Sequence, residues 1–194
     1  QVCLNYKKEA NLQMAEIYLN EFNEPQQAAV KYKQVLDIQH NNLDVLQKLA
    51  RVESSLNHWH EARTALEQIL EYAAEGSDMR LSAQQDLANL YIYHSANPQN
   101  AVPLLQDVLK SHPGDVAAIE KLADIYLMDS KLNEALALLL RANTLVQPPQ
   151  NIQILIKLAN IYKALGNPDK QMEIMKEAAG LVKLDPSILS KLQA

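Results

Sequence analysis

Few side chains in this 194-residue sequence have types and spacing suited to chemistry. His58-Trp59-His60 is the densest cluster, and its two imidazoles invite a test as metal ligands. On a helix, residues two apart point away from each other, and the sequence has no His-x3-His pair to chelate a metal. A turn is the simpler reading of the cluster. His40, His94 and His112 fall near expected helix ends with no catalytic neighbour, where solvent exposure or capping is the default role. Cys3 is the only cysteine, so neither an internal disulfide framework nor a Cys-based zinc cluster is available. A bland terminal thiol is the expectation for it, over lipid attachment. Four glycines supply no phosphate-binding loop, and no Ser-His-Asp ordering is evident. Catalytic, cofactor-binding and metal-binding residues are therefore expected to be absent, and the chain is not expected to be an enzyme.

What must carry function instead is surface, and composition says which elements build it. Hydrophobic residues make up 48% of the chain, enough for a continuous core. Leu, Ala, Gln, Lys and Glu dominate, whereas there are four glycines and one phenylalanine, the balance of an all-α protein. The formal charge of −5 provides no global field for a phosphate backbone, so nucleic acid is not an expected partner. The longest apolar stretches, such as residues 135–140, are too short to span a bilayer, and no signal segment opens the chain. A soluble protein is expected, cytoplasmic by default. Because Gln1 stands where a methionine would begin a gene product, the sequence reads as a mature product or an excised fragment, which leaves the compartment open.

One phrase recurs five times: Met14-Ala15-x-x-Tyr18, Leu49-Ala50-x-x-Glu53, Leu87-Ala88-x-x-Tyr91, Leu122-Ala123-x-x-Tyr126 and Leu158-Ala159-x-x-Tyr162. Successive copies lie 35, 38, 35 and 36 residues apart, a period that signals stacked helical hairpins. Each phrase lies in an apolar stripe at helical spacing, such as Ile119, Leu122, Ala123 and Tyr126, which predicts the first helix of a pair. A second stripe follows each: Ala28, Tyr32, Val35 and Leu36; Ala62, Leu66, Ile69 and Leu70; Ala101, Leu105, Val108 and Leu109; Ala135, Leu139 and Ala142. The fifth departs with Gln171, Met175 and Ala178. Small residues at the crossing point let two helices approach while long ones fill the grooves beside them.

Turn residues fall where this scheme needs them. Asn23-Glu24-Pro25, Asn97-Pro98 and Asn167-Pro168 separate first from second helices, while Pro113, Pro148-Pro149 and Asp185-Pro186 separate the pairs. Pro103 would break a helix begun at Pro98, so regular helix is expected only from about residue 100.

The spacing and residue types resemble the tetratricopeptide repeat family, whose signature is Trp-x2-Leu-Gly-x2-Tyr, then Ala-x3-Phe, then Pro. Ala15, Ala50, Ala88, Ala123 and Ala159 stand where that signature has Gly, and its Trp is absent from every unit. The resemblance implies a right-handed superhelical solenoid of about five helix-turn-helix repeats over residues 8–186. The expected repeats are 8–42, 43–78, 81–115, 116–149 and 152–186, after a lead-in at 1–7 and before a capping helix or truncated sixth repeat at 187–194. The second is the weakest match, with Glu53 for Tyr and a longer exit through Ala73 to Gly76. Trp59, three residues before Ala62, takes the place where the family often sets an aromatic over the turn.

Family members are mostly binding scaffolds, so the resemblance implies an adaptor that holds a peptide or partner protein in a concave groove lined by first helices. Carried over residue by residue, the position after each small residue faces that groove: Glu16, Arg51, Asn89, Asp124 and Asn160. The position before each Leu or Met adds Gln13, Lys48, Asp86, Lys121 and Lys157, and Lys163 extends the last of these strips. The candidate groove set is Lys48, Arg51, Asn89, Lys121, Asp124, Lys157, Asn160 and Lys163. Units three to five offer only part of the Lys and Asn set with which some family members clamp acidic chaperone tails, so weak or no binding to such tails is expected. A self-associating structural module, homo-oligomeric through exposed solenoid ends or binding by its convex face, is the alternative. Regulatory attachment to an enzyme elsewhere in a longer chain is a third reading.

Overall fold

The structure is a computed structural model and describes residues 2–184; the expected cap at 187–194 lies outside the described residues. It is all-α among those residues. Ten helices run in order: α1 (Val2–Asn20), α2 (Pro25–Leu36), α3 (Leu43–Ser55), α4 (Trp59–Tyr72), α5 (Asp78–His94), α6 (Ala101–Ser111), α7 (Val116–Met128), α8 (Leu132–Leu145), α9 (Ile152–Ala164) and α10 (Pro168–Leu184). They fall into two compact units, Gln1–Leu104 and Leu105–Ala194, with the division inside α6. In the first, α1 pairs with α2 and α3 with α4, while α2 lies against α3 and α4 against α5. In the second, α7 pairs with α8 and α9 with α10, while α8 lies against α9.

Local chemistry sets the helix ends. Side chains of Asn42, Ser77 and Asp115 cap α3, α5 and α7 by accepting from the amides of Val45, Arg80 and Ala118. Inside four of the pairs a residue with positive φ ends the first helix: Asn23 (53°), Asn57 (60°), Ser130 (59°) and Gly166 (70°). After each of them the next amide returns to a carbonyl near the helix end: Glu24 to Tyr18 at 2.8 Å, His58 to Glu53 at 2.9 Å, Lys131 to Tyr126 at 2.8 Å and Asn167 to Tyr162 at 2.9 Å. Pro25 and Pro168 open α2 and α10, where a missing amide hydrogen costs nothing. Pro98 opens a short 3-10 turn instead, and α6 begins only at Ala101, which leaves Pro103 in a first turn that tolerates it.

Alanines at Ala28, Ala62, Ala101 and Ala135 are fully buried, one in each of α2, α4, α6 and α8. With no space to absorb extra methylenes, Ala135→Leu is expected to destabilise by about 1–3 kcal/mol in urea denaturation.

Glu53 replaces the recurrent Tyr and is only 1% exposed. Each carboxylate oxygen has a neighbour: Lys33 Nζ of α2 makes an ion pair 2.7 Å from Oε1, an oxygen that accepts no well-aligned hydrogen bond, and His58 Nδ1 lies within hydrogen-bond distance of Oε2 at 2.8 Å. The weakest repeat in sequence is thus held by a buried carboxylate joining α2, α3 and the turn into α4. The long exit after α4 is tied back by Arg80, whose guanidinium donates to the carbonyls of Leu70 and Ala73 near the C-terminal end of α4.

Candidate functional site

The candidate groove residues separate into those already paired and those left over. In the first unit Lys48 Nζ on α3 donates to Glu16 Oε1 on α1 at 2.5 Å, and the same oxygen accepts the Tyr32 hydroxyl at 2.9 Å. In the second unit Lys157 on α9 bridges both oxygens of Asp124 on α7, at 2.7 and 2.9 Å, with Glu120 at 3.6 Å. The pairing is the same in both places: the position before the phrase in one repeat meets the position after the small residue in the repeat before it. These pairs are register locks between neighbouring first helices, and Lys48, Asp124 and Lys157 spend their charge on them.

The lock shifts the acid it holds. The Lys48 hydrogen bond is the main cause that keeps the Glu16 carboxyl below the ordinary carboxylate value, with Tyr32 and Asn20 helping against partial burial. Burial, then Glu16, raises the Tyr32 phenol. A lowered folded-state value means that the stabilisation is present above the unfolded carboxylate's titration, near pH 4.3, and is lost as pH falls through the folded value. Both side chains are over a third exposed, so the contribution is expected to be under about 1 kcal/mol. Lys48→Met should be slightly less stable than the parent at pH 7, with the gap closing on acidification below about pH 4 in parallel urea titrations.

Arg51 and Asn89 are not paired in this way. Arg51 is exposed on α3 and makes no ion pair among the described residues. Asn89, half-buried on α5, has an Oδ1 without a hydrogen-bond partner. Both line a pocket of about 430 Å³ in the first unit, together with Asp86, Trp59, Tyr93 and His94. α5 remains helical through His94 and has no positive-φ residue at its end, unlike the four first helices described above. His94 consequently stacks on Trp59, ring centroids 3.6 Å apart and planes 11° from parallel, walling one side of the pocket. Tyr93 stands exposed beside it. The arrangement offers a guanidinium for a carboxylate, an amide for a peptide backbone and aromatic surface for an apolar side chain.

Trp59 opens α4 and packs against the core, and its ring also forms part of a pocket wall that the sequence reading missed. The only signal for His94 as its partner is that the two lie one repeat apart. In the second unit Lys121 is half-buried, while Asn160 and Lys163 are exposed and follow Lys157 along one strip of α9. No group of three or more His, Cys, Asp or Glu side chains among the described residues could hold a metal ion. No helix among them is long and apolar enough to cross a membrane.

Comparison with known proteins places this geometry. The tetratricopeptide repeat profile matches residues 19–87. Among solved structures, a MamA protein superposes with a TM-score of 0.76 at 16% identity, covering 94% of this chain and 96% of that one. MamA 41-end from Desulfovibrio magneticus RS-1 gives 0.68 at 17% identity, covering 92% and 97%. YrrB, described as a TPR protein with an unusual peptide-binding site, gives 0.67 at 18% identity, covering 94% and 89%. No curated protein matches the sequence.

Proposed function

We propose, from the premise that this chain belongs to the tetratricopeptide repeat family, that it is a protein-interaction scaffold binding an extended segment of a partner on its first-helix faces. The observation that carries this reading is the pocket in the first unit, where Arg51 and Asn89 converge beside the Trp59–His94 stack and neither is committed to an ion pair. A polypeptide suits such a site because Asn can both donate to and accept from a backbone, while Arg51 takes a carboxylate and Tyr93 an apolar group. In the second unit Asn160 and Lys163 on α9 are the corresponding contacts, with Lys121 on α7 beside the locked Asp124–Lys157 pair. Lys48, Asp124 and Lys157 serve first to hold the helices in register and contribute to binding as a polar rim.

Affinity capture from native extract, read by mass spectrometry, tests the assignment. The intact chain is expected to retain a partner that the Arg51→Ala, Asn89→Ala variant loses and that Thr64→Ala, on the outer helix α4, keeps. Equal retention by all three would remove the first-helix face from the account.

A further inference from the structure

A second pocket in the first unit, of about 260 Å³, lies between the start of α4 and the end of α5. It shares Trp59, Leu90 and His94 with the groove pocket, so the stacked rings border both. The rest of its lining is His60, Arg63, Tyr91 and Ser95, with no carboxylate among them.

Arg63 is the residue that the repeat does not call for. It follows the buried Ala62, and the residues that follow the matching alanines Ala28, Ala101 and Ala135 are Ala29, Val102 and Leu136, none of them exposed. A guanidinium therefore stands in α4 where α2, α6 and α8 set an apolar side chain. Its Nε is buried without a hydrogen-bond partner, a cost that a bound acceptor would remove after a small turn of this half-buried side chain. Glu67, one turn on in α4, comes only to 3.6 Å of that nitrogen, and its Oε1 accepts the Tyr91 hydroxyl at 3.2 Å.

The neighbouring groups are donors too. Arg63 Nη2 lies 3.0 Å from His60 Nδ1, and because a guanidinium only donates, Nδ1 accepts and the His60 proton sits on Nε2. Ser95 Oγ accepts from the Asn97 amide at 3.2 Å, which leaves its hydroxyl hydrogen to donate. His94 adds a second imidazole. The positive pole at the start of α4 and the negative pole at the end of α5 offset each other, so side chains set the sign of the pocket. Donors from four side chains outnumber the two oxygens of a carboxylate. They suit the three terminal oxygens of a phosphomonoester, whose larger charge also complements the guanidinium.

We propose that this pocket binds a phosphomonoester carried on a side chain of the partner segment, with Arg63 as its principal contact and His60, His94 and Ser95 around it. Only the carrier rests on the scaffold reading; the anion site stands on its own lining.

Titration of the intact chain, followed by Trp59 emission, tests it with inorganic phosphate and with short alanine peptides bearing phosphoserine or serine at the centre. The phosphoserine peptide is expected to bind at least as tightly as phosphate and at least about tenfold more tightly than the serine peptide. Arg63→Met should weaken it at least about tenfold and Ser95→Ala about threefold, whereas Glu67→Gln should tighten it by removing a negative charge 3.6 Å from Arg63. Circular dichroism checks folding, and the exposed positions Ser95 and Glu67 keep the test decisive if Arg63→Met unfolds. Equal affinity for the serine and phosphoserine peptides would overturn the proposal and leave the scaffold reading intact, since that reading stands on Arg51 and Asn89. Phosphate binding with the phosphoserine peptide excluded would overturn the carrier. Loss of phosphate binding on Arg51→Ala but not on Arg63→Met would overturn the site and move the anion to the groove pocket.

Discussion

Replacing Lys33 with Met should lower the unfolding free energy by about 3 kcal/mol, far more than the loss of a half-exposed lysine usually costs. The reason is Glu53, whose buried carboxylate keeps His58 but loses the ammonium 2.7 Å from Oε1. Stranding a buried charge is costly because water cannot replace the missing partner. Lys110→Met is the control: its partner Asp107 is half-exposed on the same helix, so a change within about 0.5 kcal/mol is expected. Lys33→Met combined with Glu53→Tyr, the residue found at that position in the other four copies, should recover most of the loss. Urea denaturation of the four proteins at pH 7 measures all of this. A Lys33→Met loss no larger than that of Lys110→Met would mean that the buried carboxylate does not depend on its ammonium partner.

A second pair of substitutions separates position in the repeat from packing. Leu158 and Met14 occupy the same place in the repeated phrase, yet Leu158 is fully buried in α9 and Met14 lies open on α1. Leu158→Ala should cost about 2–5 kcal/mol through lost transfer energy and the cavity left behind. Met14→Ala should cost under about 0.5 kcal/mol in the dilute chain, because no cavity forms at an exposed site. Comparable losses at the two positions would show that Met14 is covered as Leu158 is.

The helical architecture was legible because the repeat writes it five times. The Leu-Ala-x-x-Tyr phrase marks each first helix, and the prolines and asparagines mark the turns, by local mechanisms that need no tertiary information. Lys33–Glu53 was not legible: a glutamate in place of tyrosine reads as a weakened repeat until the ammonium from α2 is seen beside it. The candidate groove was half legible. Position along the helix identifies Lys48, Asp124 and Lys157, but whether a charge is available depends on its neighbour one repeat away, and Glu16 and Asp124 take two of the three lysine charges in the set that lie before a phrase. The stack of His94 on Trp59 depends on α5 staying helical to its last residue, a boundary detail that no local signal at Ser95 announces.

Trp59 is the only tryptophan in the chain and stands in the pocket wall, so its fluorescence reports directly on the site. The most direct test of the scaffold reading is to select binders from a random peptide library on the intact chain and titrate the strongest while following that emission. The account predicts a saturable change in Trp59 emission and an affinity reduced at least about tenfold by Arg51→Ala with Asn89→Ala, the scale of one or two lost polar contacts at a centre of binding. Peptides that bind without perturbing Trp59, and equally well to the double variant, would contradict it.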